Sequence, residues 1–245
     1  MVYATSSLHK TMFGGSSEHS DSHSPHILFG GGKKTASLFK LLDSKKEFLI
    51  YVFSNLIAQL GITYYVMMNY TSDVCLTAQL LLFVAQLFII YILAFYPMPS
   101  FIKFIIFSIF SLTFGIQLSS LRSKIDVSIM KTALAGTMGI FASMVIAGVA
   151  LILFGINLSR NFGLALLNGL LILILTSIVF MFMGTYSLLI KIFASAGLFL
   201  FSLYIVYDTN SILQRDYYGD FITASLDYYL DIINIFVNMI SLGNN

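Results

Sequence analysis

Seven long apolar stretches follow one another along the chain, near residues 48–69, 74–96, 101–121, 129–156, 163–185, 188–208 and 221–242. Each is long enough to cross about 30 Å of hydrocarbon as an α-helix. The short connections predict antiparallel neighbours in one compact bundle. In the turn Tyr96-Pro97-Met98-Pro99-Ser100, two prolines stop the second helix before the third starts. The seventh stretch is the most polar. On a helix turning 100° per residue, Asp227, Asp231, Asn234 and Asn238 fall within an arc of about 60°. Thr223 and Ser241 lie beside that stripe, and Ile222, Leu226, Tyr229, Ile233, Phe236 and Ile240 take the opposite side. An ionisable side chain within a bilayer costs on the order of 2.5–3.5 kcal/mol even on the lenient insertion scale. Such a stripe must face water, an ion or partner polar groups, which marks the last helix as the working part.

Composition narrows the class. Of 245 residues, 58% are hydrophobic and 10% charged, with a mean hydropathy of +0.90. Soluble domains carry about 25% charged residues, so the pattern is that of an all-α integral membrane protein. The basic residues are few and scattered, which excludes a nucleic-acid-binding face. Tryptophan is absent, leaving tyrosine to supply the interfacial belt. The one cysteine, Cys75, excludes an intrachain disulfide and a multi-cysteine metal site, and reads as a small residue near a helix end.

Residues 1–44 are rich in Ser, Gly and His and read as a flexible polar tail ahead of a membrane domain spanning 45–245. Lys45 and Lys46 precede the first apolar run, so that run serves as its own insertion signal. The tail's His19, Asp21, His23 and His26 are weak metal donors without fixed geometry, and an address or spacer is the simpler role, as for His9. With the amino terminus inside, 9 of the 13 Lys and Arg residues fall on the cytoplasmic side, predicting N-in and C-out. The loop at 121–131 dissents. A six-span form with a re-entrant last segment is the rival topology.

Small-residue stripes predict close helix contacts through Thr132, Gly136, Gly139 and Ser143 in the fourth span, and Ser108, Ser111, Gly115 and Ser119 in the third. Asn55 with Gln59, and Gln79 with Gln86, share helix faces. They either hydrogen-bond across the bundle or line a wet path.

The sixth span ends in YIVYDTNSILQRD. Asp208 stands 23 residues before Asp231, with the turn between them. If these helices are antiparallel neighbours, and the sixth continues to about Leu213, the two carboxyl groups reach the same depth. Two carboxylates in contact in a medium of low dielectric share a proton. Protonated, the pair clasps two helices; ionised, it repels itself unless a cation enters, and Ca²⁺ prefers carboxylate oxygens. A plain structural hydrogen bond is the simpler alternative. Asp227, one turn from Asp231, extends an ion path or repels its neighbour. Asp73, Asp216 and Asp220 read as solvated loop residues.

The run AGLFLFSLYIVYDTNSILQ, followed by FITASLDYYLDIINIFVNMI, resembles the carboxy-terminal signature of the Bax-inhibitor (TMBIM) family. That family includes lifeguard proteins, Golgi anti-apoptotic proteins and bacterial relatives. Its aspartate motif and its final-helix LYLDIINLF pattern appear here as Tyr207-Asp208-Thr209 and Tyr229-Leu230-Asp231-Ile232-Ile233-Asn234-Ile235-Phe236. A weaker similarity covers the fourth and fifth spans. The resemblance implies a seven-transmembrane-helix bundle with the C-terminal helix central. It also implies a pH-sensitive Ca²⁺ leak, with Asp208 and Asp231 as paired sensor and cation path and Asp227, Asn234 and Asn238 lining it. In eukaryotic members the leak lowers stored calcium and dampens cell death. The implied membrane is endoplasmic reticulum or Golgi in a eukaryotic or viral setting, and plasma membrane in a bacterial one. Ca²⁺ enters as cargo, with no cofactor, and cell-death regulators are the implied partners. Three departures stand out. Ser111 occupies the place of a third-span glutamate, residues 74–96 lack the arginine latch of some bacterial members, and Asp227 is an addition.

Other classes compete. A non-conducting interaction protein acting on cell death or membrane proteostasis is the main alternative. An intramembrane aspartyl protease needs GxGD within a span and a later PAL, whereas Asp220 falls in a connection after Tyr217-Tyr218-Gly219 and no proline follows Pro99. The chain therefore reads as a non-enzyme. A proton-coupled transporter would suit the carboxylates, but no inverted repeat is visible.

Overall fold

The protein, represented by a computed structural model, is described over residues 31–70, 75–122, 124–183, 187–215 and 217–244. These form seven helices: α1 (Gly31–Asn69), α2 (Leu76–Phe95), α3 (Ser100–Arg122), α4 (Val127–Leu153), α5 (Arg160–Met183), α6 (Ser187–Gln214) and α7 (Phe221–Gly243). Six of them, α1 to α6, are long and apolar enough to cross a membrane, and α7 is not among them. The chain is thus an all-helical, multi-pass membrane protein by length and composition.

Two helices exceed their apolar stretches. α1 starts at Gly31, so residues 31–44, expected in a polar tail, form the opening turns of a 39-residue helix. α6 runs to Gln214 and keeps Asp208 inside a continuous helix. The four histidines, Asp21, Asp73 and Asp216 lie outside the described residues. Helix ends follow local chemistry. Pro97 and Pro99 occupy the break between α2 and α3, where the Pro99 carbonyl accepts from the Ile102 and Lys103 amides. Asp126 caps α4 by accepting from the Ser128 amide at 2.8 Å. Gly155, at φ 75°, turns the chain out of α4.

α7 packs along α6, α1 and α4, and the α6–α7 pairing is the most extensive in the molecule. Its faces divide the work. Tyr229 is fully buried against Phe107 and Phe110 of α3, with its hydroxyl 2.6 Å from that of Thr63 on α1. Tyr228 stacks on Phe53 and meets Phe141 edge-on, with its hydroxyl 2.8 Å from that of Thr209. Lipid offers apolar groups no reason to cluster, so these buried polar bonds and close backbone approaches must carry much of the specificity. The many exposed Leu, Ile and Phe side chains of α2, α4 and α5 suit a hydrocarbon surround.

The polar residues of α1 and α3 bond across the bundle. Asn55 donates to Ser225 at 2.5 Å, Gln59 to Ser108 at 3.2 Å, and Ser111 to Gln59 at 2.9 Å. Ser111, Gly115 and Ser119 are buried, so the small-residue stripe of α3 is a packing face. On α4 the expected stripe makes such a contact at Gly136, which lies against Met239 of α7, and not at its other three positions. Thr132, Gly139 and Ser143 are exposed, while Ala133, Thr137 and Gly148 are buried. Small side chains permit contact without specifying which face makes it. At Gly115 a Cβ would stand 2.8 Å from the Thr63 carbonyl oxygen and 2.7 Å from Val66 Cβ. Gly115→Ala is expected to lower stability by about 1–3 kcal/mol, the usual effect of overpacking. The midpoint of thermal unfolding in mild detergent would report it, and an unchanged midpoint would show that α1 gives way freely.

Candidate functional site: a carboxyl-lined cavity

The third face of α7 borders a cavity of about 820 Å³. Asp227, Asp231, Asn234, Asn238 and Ser241 reach it from α7, and Asp208 from α6. The stripe read from helical periodicity therefore shares one space. Thr223 departs from it and joins a separate cluster described below.

Asp208 and Asp231 are 9% and 4% exposed, and their carboxyl groups lie within hydrogen-bonding reach of each other. The antiparallel α6–α7 pairing puts them at one depth because α6 extends past Asp208. One oxygen, Oδ2 of Asp231, is buried and has no hydrogen-bond partner among the described residues. An unpaired buried polar atom is costly and is retained only where something else satisfies it. Asp227, half-buried, faces Tyr217, whose hydroxyl donates to it. Arg215, at the end of α6, interacts electrostatically with Asp208, while its guanidinium lies 5.2 Å from the Tyr207 ring centroid and donates to the Tyr207 hydroxyl at 2.9 Å.

The asparagines have defined roles. Asn234 Nδ2 donates to the Leu230 carbonyl at 2.7 Å, and Asn238 Nδ2 to the Asn234 carbonyl at 2.8 Å. Each bond uses one of the amide's two N–H groups, so the second N–H and the side-chain carbonyl are left for the cavity. Gly197 of α6 admits Asn238, whose amide atoms would stand 2.7–2.9 Å from any Cβ there. Among the described residues, no three His, Cys, Asp or Glu side chains converge on a point that could hold a metal ion. Asp208 and Asp231 are therefore a two-carboxylate arrangement, far short of the six to eight oxygens of a retentive calcium site.

Gln86 of α2 also borders the cavity. It is 2% exposed, and its Oε1 has no partner among the described residues. Helical periodicity does not separate Gln79 from Gln86, which share a face; of the two, Gln86 lines the cavity.

A second cluster went unread. Asp220, expected as a solvated loop residue, caps α7 and pairs with Lys103 at 2.5 Å. Lys103 is buried and also donates to Thr223 at 3.1 Å. Thr223 in turn donates to Asp220 at 2.7 Å. The available signal was a lone lysine four residues into an apolar span. Burial by itself would raise the Asp220 carboxyl, but the bonds from Lys103 and Thr223 outweigh it and hold the group below its ordinary value. The unfolded value is about 3.9, so this stabilisation is complete above about pH 4 and is lost as pH falls through the lower folded value. The difference in unfolding temperature between wild type and Asp220→Asn is expected to shrink below about pH 4; a constant difference would deny the ion pair that role.

A family model described as "Inhibitor of apoptosis-promoting Bax1" matches residues 45–244. The chain is 34% identical over 80 residues to a BI1-like protein of Arabidopsis thaliana, a match covering 33% of this chain and 31% of that protein. It is 30% identical over 137 residues to the Golgi anti-apoptotic protein of Vaccinia virus (strain Lister), 54% of each. It is 39% identical over 70 residues to Bax inhibitor 1 of Schizosaccharomyces pombe, covering 29% of this chain and 26% of that one. These matches span between about a quarter and a half of the relatives' own lengths.

Proposed function

The chain belongs to the Bax inhibitor family, and from that premise we propose that it is a pH-sensitive Ca²⁺ leak pathway that lowers stored calcium and thereby restrains cell death. α7 serves as the seventh span. Its 23 residues extend about 34 Å, enough for the hydrocarbon core, and its packing on α1, α4 and α6 supports a central position. The membrane is that of the endoplasmic reticulum or Golgi in a eukaryotic or viral setting, and the plasma membrane in a bacterial one.

One observation carries the reading: Asp231 is 4% exposed, lies against Asp208 beside the cavity, and has one oxygen without a partner among the described residues. Such a pair can pass between a proton-sharing clasp and an ionised form that a cation must neutralise. Along α7 the acceptors beside the cavity are carboxyl oxygens first and asparagine carbonyls next. A cation path needs that sign. Two carboxylates bind Ca²⁺ weakly, which suits passage, since an ion held too well does not leave. No step requires a cofactor, and Ca²⁺ is cargo. In place of a second-span arginine, Gln86 of α2 borders the same cavity as the pair, and Arg215 is a cation whose field reaches Asp208.

The test is Ca²⁺ flux through the purified chain in liposomes across a pH series. Flux that varies with pH is the expected result. Absence of flux, with binding to cell-death regulators retained, would replace the channel by the non-conducting interaction protein. Cleavage of a peptide with loss on Asp231→Asn would instead make it an enzyme.

A further inference from the structure

The cavity has an incomplete wall. Its lining comes from α2, α3, α7, α6 and α5. In this ring α2 packs on α3, α5 packs on α6, and α6 packs on α7, whereas α2 and α5 make no extensive contact with each other among the described residues. They are also the least buried of the apolar helices, with 11% and 6% of their apolar stretches covered. Among the described residues the ring therefore opens sideways between α2 and α5, toward hydrocarbon.

The opening sets two demands. Its walls are apolar, with Phe83 and Leu87 on α2 facing Leu170 and Leu173 on α5. Its floor is the polar stripe of α7, with Asp227 and Asp231 toward one end. Water in the slot would wet the walls, and a plain hydrocarbon chain would leave the carboxyl groups unsatisfied. An amphiphile satisfies both. From Asp227 to Ser241 the floor is about 21 Å long, at 1.5 Å per helical residue. The volume of about 820 Å³ lies within the range of about 300–1,000 Å³ typical of small-molecule sites. Asp208, Asp227 and Asp231 all border the cavity, and none of the described residues that line it is Lys or Arg. Charge complementarity selects a cationic donor.

We propose that the slot between α2 and α5 binds a single-chain amphiphile bearing a protonated amine, its chain between the two helices and its ammonium at Asp227 and Asp231. The proposal stands apart from ion conduction and is read by binding alone. The full chain in phosphatidylcholine nanodiscs would be photolabelled with a diazirine-bearing hexadecylamine, with hexadecylamine, hexadecanol and hexadecanoate as competitors. Labelling on α2, α5 or α7 is expected, with the amine competing at least about tenfold better than the alcohol, a difference of about 1.4 kcal/mol, and the carboxylate worst. Asp227→Asn should reduce the preference for amine over alcohol. Leu173→Trp, which fills the wall, should weaken amine and alcohol alike. Equal competition by amine and alcohol, labelling elsewhere, or indifference to Leu173→Trp would each overturn the proposal; the head-group comparison on the wild type decides even where a variant fails to fold.

Discussion

Asp231→Asn is expected to flatten the pH dependence of Ca²⁺ flux, from a change of about tenfold across the responsive range to less than about twofold. Asparagine keeps the size of the side chain and its hydrogen bond to Asp208, but it cannot ionise. The clasp then persists at every pH. Asp208→Asn should give the same flattening, and the double variant little more, because two groups that share a proton act as one unit. Asn238→Ala makes a contrasting control. It removes a carbonyl from the cavity without touching the pair, so the size of the flux should change and its pH profile should not. Ca²⁺ efflux from dye-loaded liposomes measures all four. A wild-type profile in either single variant would remove the carboxyl pair from the mechanism.

Asp220→Asn is expected to destabilise the protein by about 3–5 kcal/mol, among the largest effects of any isosteric change in the molecule. Asparagine caps a helix as well as aspartate does, so the α7 cap survives and only the charge is lost. What remains is Lys103, 7% exposed, with its ammonium deprived of a counter-charge. The reciprocal change should be milder. Lys103→Met leaves Asp220, 34% exposed and able to reach water, and about 2 kcal/mol is expected. The double variant should recover most of the loss, since removing both charges leaves nothing stranded. Denaturation in mild detergent orders the three proteins. If Lys103→Met were the more damaging single change, the burial asymmetry would not govern the pair.

What the sequence disclosed depended on the range of each signal. The seven helices and the stripe at Asp227, Asp231, Asn234 and Asn238 follow from local periodicity, which is a property of a single segment. The approach of Asp208 to Asp231 also followed, because a short turn between antiparallel helices fixes relative depth. The Lys103–Asp220 pair did not. Its partners stand 117 residues apart, and nothing local says which helix ends will meet. The α4 stripe misled for a related reason: Thr132, Gly139 and Ser143 look like a contact face, yet contact goes to Ala133, Thr137 and Gly148. The side opening was invisible because a gap between α2 and α5 belongs to packing alone. The long start of α1 was masked by its polarity, which resembles that of a loop until the backbone is seen.

At 39 residues α1 measures about 58 Å, nearly twice the hydrocarbon thickness. The same rigid rod that begins at Gly31 carries Asn55, Gln59 and Thr63, and through them it grips α3 and α7. It is a lever arm. A torque applied to its opening turns, by a tethered protein or by membrane curvature, would be carried along the helix toward Ser225 and Tyr229, on the reverse side of the helix that bears Asp231.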